Sequence, residues 1–370
     1  MIECWRFYSE AFYCGRVICK NKGYSGERTG DHLKVFAPFT TTGIGSLPHT
    51  DPEEACRLVQ EIFDIPFWPQ LPELSFHESM ITQFSEGMPF IKIDEQRETI
   101  WIERDRSDAL IRFYETCSED WKVSISENYA RGLYTFIKMV KDKHFKSLKG
   151  QITGPLTFSL GLKDSEGRPI YFDEELREIS LMVLKAKIRW QIEVLKPYAE
   201  HIIIFVDEPI LSALGSTSYM GVDPKEAQRL LREISDAIKH AGGIPGIHCC
   251  GKADWPLVIN SYFRIISFDA YEYIETVSIY PAEFTGFLEG GGYLAWGIVP
   301  TTDIIREENP DSIKKRFDSS VEKLSNSIPA TLLLSQILLT PSCGTGSRSK
   351  EETLKVFRLL TGLKESLLMK

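Results

Sequence analysis

From Phe39 to the C-terminus the sequence alternates short β-rich apolar runs with amphipathic segments of helical length. That grammar predicts a parallel sheet whose strands are joined by crossover helices, because parallel neighbours cannot be linked by tight turns. The first unit is "FTTTGIGSLP" running into "HTDPEEACRLVQEIF". Asp51 can cap a helix with Pro52 at its first position, and Ala55, Leu58, Val59, Ile62 and Phe63 then share one face. The same unit recurs at "VDPKEAQRLLREISDAIKHAGG", with Asp223-Pro224 at its start, a stripe of Leu230, Leu231, Ile234 and Ile238, and Gly242-Gly243 at its end.

Further strand-like runs are "KGQIT" at 149–153, "HIIIFVDEP" at 201–209, "GIPGIHCC" at 243–250, "RIISFDAYE" at 264–272, "GYLAWGIVP" at 292–300 and "ILLTPSC" at 337–343. With the runs at 39–48 and 64–71 they make about eight, which favours an α/β fold of the (β/α)8 TIM-barrel type over an open sheet. The expectation is one barrel over 38–370 behind a short N-terminal extension, 1–37, that shows no clear period. The charged stretch "KMVKDKHFKSLK", 138–149, reads as a solvated helix face.

A net charge of -9 argues against nucleic acid as a partner. No apolar run approaches the roughly 20 residues of a membrane helix, and the opening "MIECWRFYSEAFYCGRVICKNK" is too broken by charge for a secretory signal. A cytoplasmic protein is expected. Its eight cysteines lack the dense spacing of a disulfide framework, so thiols that matter are ligands or nucleophiles.

Polar residues of chemical interest fall at the C-terminal ends of the apolar runs: Ser46, Asp207 with Glu208, His248 with Cys250, Glu272 and Cys343. In a barrel those ends meet at one mouth. His248 and Cys250 are two residues apart, so on an extended segment both face one side while Cys249 packs on the other. Cys343, followed by a Gly-rich turn, can bring a second thiolate from another strand. One imidazole and two thiolates suit zinc and leave room for a displaceable fourth ligand, for which Glu272 is the candidate.

These motifs resemble the zinc-bearing catalytic domain of cobalamin-independent methionine synthase, in the superfamily that includes uroporphyrinogen decarboxylase and the methylcobamide:coenzyme M methyltransferases. The stretches are His248-x-Cys250, Glu272, Cys343-Gly344, "TTTGIGSLPHT" at 40–50, "QITGPLTF" at 151–158 and "VDEP" at 206–209, over residues 38 to 368. The resemblance implies zinc held by His248, Cys250, Glu272 and Cys343. It implies an amino-acid carboxylate at Ile44, Gly45 and Ser46, and an amine held by Glu73 and by Asp207, the residue nearest to a catalytic role. The implied reaction is methyl transfer to a thiol, with homocysteine giving methionine, from a methylated corrinoid protein or methyltetrahydrofolate. Two departures stand out: the chain has room for one of the family's two barrels, and "YLAWGIVPTTD" has Trp296-Gly297 where the family carries a histidine. The alternatives are a methylcobamide:coenzyme M-type methyltransferase, a uroporphyrinogen decarboxylase-like enzyme, or a non-catalytic corrinoid- or metal-binding accessory protein.

Overall fold

The computed structural model describes residues 35–104, 108–117 and 121–369. The extension expected at 1–37 lies, through residue 34, outside the described residues. Seven parallel strands form one curled sheet: β1 (Thr40–Thr41), β4 (Phe145–Thr153), β5 (Ala199–Asp207), β6 (Ile244–Cys249), β7 (Ile265–Phe268), β8 (Tyr293–Val299) and β9 (Ile337–Pro341), in the spatial order β1-β9-β8-β7-β6-β5-β4. The fold is α/β and of TIM-barrel type, as the alternating pattern predicts.

The run at 64–71 occupies the gap between β4 and β1 without forming a ladder. It makes only isolated parallel bridges, Ser46 with Gln70 on one side and Phe67 with Lys149 on the other. The cause is in its sequence, "DIPFWPQL": Pro66 and Pro69 have no N–H to give. Pro66 still accepts from the Lys149 N–H at 2.9 Å, and Gln70 and Leu47 exchange backbone bonds across the seam with Gly45 O and Gln70 O.

Helices cover the outside as their stripes require. Asp51 caps Pro52–Ile62 by accepting from the N–H groups of Glu53 and Glu54, and Asp223 caps Pro224–His240 by accepting from Lys225. Leu230, Leu231, Ile234 and Ile238 on the second helix are all fully buried. Gly242, at φ +84°, turns the chain back into β6 in a conformation that side-chain-bearing residues rarely adopt.

Two features depart from the pattern read in the sequence. The stretch 138–149 is not one solvated helix face: the helix Arg131–Val140 ends early, β4 begins at Phe145, and Lys149 is fully buried. An antiparallel hairpin, β2 (Ile91–Asp94) and β3 (Thr99–Ile102), follows the 64–71 segment. Its connection, "EQRE", has no Asn-Gly or Asp-Gly signal, and Glu98 itself takes the positive φ of 50° that such a turn needs.

Candidate functional site

β5, β6 and β9 bring the expected site residues to one end of the barrel. His248 lies near the end of β6 and is 3% exposed. Its Nδ1 is 3.0 Å from Ser267 Oγ on β7, while Nε2 has no hydrogen-bond partner among the described residues. Burial, and then the charge of Lys149, push this imidazole down to about 3, so it is neutral and Nε2 can offer a lone pair.

Cys250 follows β6 directly and Cys343 lies two residues beyond β9. One ligand atom from each of His248, Cys250 and Cys343 lies within 4.8 Å of the others. The two thiols hydrogen-bond to each other, which pulls Cys250 down to about 7 and drives Cys343 well above the ordinary thiol range. Cys249 faces away, 1% exposed, with its Sγ on Gly251 O.

The cluster forms one wall of a cavity of about 260 Å³ whose other walls include Ile44, Ser46, Glu78, Met80 and Asp207. Ser46 Oγ accepts from the Gly346 N–H at 3.2 Å, which ties the loop after β1 to the turn after Cys343. Gly344 is required there, since a Cβ would stand 2.1 Å from Ser46 Oγ. A Cβ at Gly45 would lie 2.6 Å from Gln70 Oε1, so the Gln70 side chain would have to move to admit one.

Asp207 and Glu208 are adjacent, buried and unlike. Glu208 accepts from the N–H groups of Leu156 and Thr157 at 2.8 Å each and from Thr157 Oγ1 at 2.6 Å, so it is consumed in anchoring the helix Pro155–Gly161. Asp207 is 5% exposed and lines the cavity, and its Oδ1 has no partner among the described residues. Burial pushes it up to about 7, against the pull of Lys149.

Two expectations need correction. Glu73 is exposed and does not line the cavity; Glu78, five residues on, does. The short turn Phe76–Glu78, capped by Ser75, carries Glu78 inward, where it accepts from the N–H groups of Leu71 and Arg131 at 2.9 Å each and is pushed up to about 7 by burial. Glu272 is likewise exposed and outside the cluster. β7 ends at Phe268, and Asp269 follows it directly as the cap of the next turn. It is 7% exposed, pushed up to about 7 by burial, and its charge acts on Cys250. Glu272 sits one turn later, its N–H capped by Asp269 Oδ1.

At Gly297 no side chain fits: a Cβ would lie 2.6 Å from Phe268 O and from Ser342 Cα, both backbone atoms. Trp296 turns outward, its ring 5.4 Å from Phe317. The position is closed to histidine by main chain on two neighbouring strands.

The donor set fits a zinc ion. Tetrahedral zinc takes sulfur at about 2.3 Å and nitrogen at about 2.0 Å. A buried neutral imidazole with an unpartnered Nε2, fixed from behind by a hydroxyl, is what such an ion requires.

No protein-family model matches the chain, and no curated protein matches it. Among solved structures it is similar to a B12-independent methionine synthase from Shewanella sp. W3-18-1 in complex with selenomethionine, with a TM-score of 0.55 and 16% identity over 90% of this chain and 98% of that one. A lower score, 0.42 with 13% identity over 91% of this chain and 86% of that one, relates it to the tandem GH20 catalytic modules of the pneumococcal exo-beta-D-N-acetylglucosaminidase StrH. The first of these is a likeness of fold. No helix among the described residues is long and apolar enough to cross a membrane.

Proposed function

We propose that the chain is a zinc-dependent methyltransferase that methylates a thiol, with homocysteine as acceptor and methionine as product. The observation that carries this reading is the convergence of His248, Cys250 and Cys343 within 4.8 Å on the wall of a small cavity that also presents buried carboxylates. Zinc held by these three residues would supply a Lewis acid that keeps an incoming thiol as thiolate at neutral pH.

The chain's own groups do the rest. Ser267 fixes the His248 ring so that Nε2 faces the thiols. Asp207 offers an unpartnered oxygen to the substrate ammonium, with Glu78 on the same cavity. Ser46 Oγ accepts from Gly346, which leaves its own O–H free to donate to the substrate carboxylate. With the substrate's thiol proton released to solvent, its thiolate sulfur would attack the donor's methyl carbon, forming the S–C bond while the donor keeps the pair from the bond that breaks.

The volume of about 260 Å³ suits a small amino acid and is too small for a cofactor, so the donor presents its methyl group from the open mouth. A methylated corrinoid carried by a partner protein, or methyltetrahydrofolate, meets that requirement. A sulfonate thiol such as coenzyme M, with no amine, is disfavoured by the acids in the pocket.

The test is zinc content of the wild type and of Cys343→Ser, with methionine formation from homocysteine and methylcobalamin on the same samples. About one zinc per chain, lost together with activity in the variant, is expected. Absence of zinc from both would overturn the reading.

A further inference from the structure

Lys149 lies where a lysine is least expected. It is fully buried on β4 below the cavity, and its Nζ donates to Ile44 O at 2.6 Å and to Gln151 Oε1 at 3.1 Å. The rings of Phe67 and Phe205 stand 5.2 and 4.7 Å from it. Gln151 is held in turn by donating to Trp68 O at 2.9 Å. A plug of this shape built only for stability would be cheaper from apolar residues, because an ammonium gives up its hydration to be here.

What faces the lysine explains it. Ile44 O points down onto Nζ, and in a trans peptide the N–H of Gly45 then points the opposite way, to the side where Ile44 and Ser46 line the cavity. Among the described residues no lysine or arginine lines that cavity, whereas Glu78, Asp207 and two thiols do. A substrate carboxylate entering such a space meets repulsion unless a positive charge lies close by. Lys149 is the cationic group that lies there: burial pushes its amine down to about 7 against the pull of Asp207, and a carboxylate arriving above Ile44–Gly45 would favour its charged form.

We propose that Lys149 is a positioning and specificity residue for the carboxylate end of the substrate: it fixes the Ile44–Gly45 peptide and sets a buried amino group beneath it. The inference rests on the reading above in taking an amino-acid thiol as ligand. Its consequence is a preference for thiol acids over plain aminothiols.

The experiment is calorimetric binding to zinc-loaded wild type and Lys149→Met of three thiols: homocysteine, its analogue without the amine (4-mercaptobutanoate) and its analogue without the carboxylate (3-mercaptopropylamine). Lys149→Met is expected to keep its zinc, to lose at least tenfold in affinity for the two carboxylates, and to bind 3-mercaptopropylamine as tightly as wild type or more so. A structural plug would weaken all three alike, and that result, or unchanged binding of homocysteine, overturns the proposal. If Lys149→Met does not fold, the wild type decides: 3-mercaptopropylamine binding as tightly as homocysteine overturns it. Wild type that binds neither carboxylate thiol overturns the functional reading and this inference together.

Discussion

The adjacent acids Asp207 and Glu208 should respond in opposite ways to removal, and the structure gives the size of each response. Glu208→Ala leaves three buried donors, the N–H groups of Leu156 and Thr157 and the Thr157 hydroxyl, without an acceptor. At about 1–3 kcal/mol for each unsatisfied group, reduced by local relaxation, the loss is about 4 kcal/mol. Unfolding entropy of about 2.1 cal/mol/K per residue makes 1 kcal/mol worth roughly 1.5 °C in a barrel of this size, so the melting temperature falls by about 6 °C. Asp207→Asn removes a buried charge whose Oδ1 has no partner, and its stability should stay within about 1 kcal/mol of wild type. Its homocysteine affinity should drop at least tenfold, as expected for a lost charge-assisted contact to the ammonium. Thermal unfolding at pH 8 followed by circular dichroism, with calorimetric binding of homocysteine, reads both effects. A stable Glu208→Ala, or an Asp207→Asn that melts early and binds normally, would refute the division of labour between the two carboxylates.

Three more outcomes are expected. Ser267→Ala removes the group that orients His248 and should weaken zinc 10–100-fold in competition with a chromophoric chelator, leaving the melting temperature of the metal-free protein within about 2 °C. Gly297→Ala drives a methyl group into the backbone at Phe268 and Ser342 and should cost on the order of 3 kcal/mol in thermal unfolding; an unchanged melting temperature would contradict the close approach of those strands. Lys187 is fully buried with Nζ on Ser124 O, and burial pushes it down to about 7 from 10.5. Below about pH 7 it is charged folded and unfolded alike and the burial penalty is complete; between about 7 and 10.5 the folded form sheds its proton first and the penalty fades. Lys187→Met should therefore be more stable than wild type by about 2 kcal/mol at pH 6, with the advantage shrinking towards pH 10.

How much of this was legible in the sequence depends on what each residue's position rests on. The helix with Asp223-Pro224 at its start and Leu230, Leu231, Ile234 and Ile238 inward follows from local period and capping, and it stands as read. His248 and Cys250 share a side because of the two-residue repeat of a strand, which is also local. Glu78 was not legible, because a turn of three residues, Phe76–Glu78, carries it inward and has no apolar period to show it. Lys149 was hidden for a different reason. Its neighbours Lys141, Lys143 and Lys146 are surface lysines in the same run, and Lys146 lies on β4 itself, so only the strand's passage from its exposed start to its buried interior separates the exposed lysines from the buried one.

The distance between the two thiols carries a final argument about how site and barrel depend on each other. β6 and β9 are three strand steps apart in the order β9-β8-β7-β6, about 14 Å along the sheet at roughly 4.8 Å per step. Cys250 and Cys343 nonetheless lie within 4.8 Å of each other, so they meet across the interior, and only a strongly curled sheet allows it. The curl has to be held at the seam between β4 and β1, where Pro66 and Pro69 deny the 64–71 segment a ladder. Side chains do there what main chain cannot. Lys149 on β4 bonds Ile44 O beyond β1, Gln151 on β4 bonds Trp68 O within the segment, and Trp68 Nε1 bonds Gln191 Oε1 on the helix Glu174–Leu195. The polar layer of Lys149, Gln151, Trp68 and Gln191 is thus also the closure of the barrel.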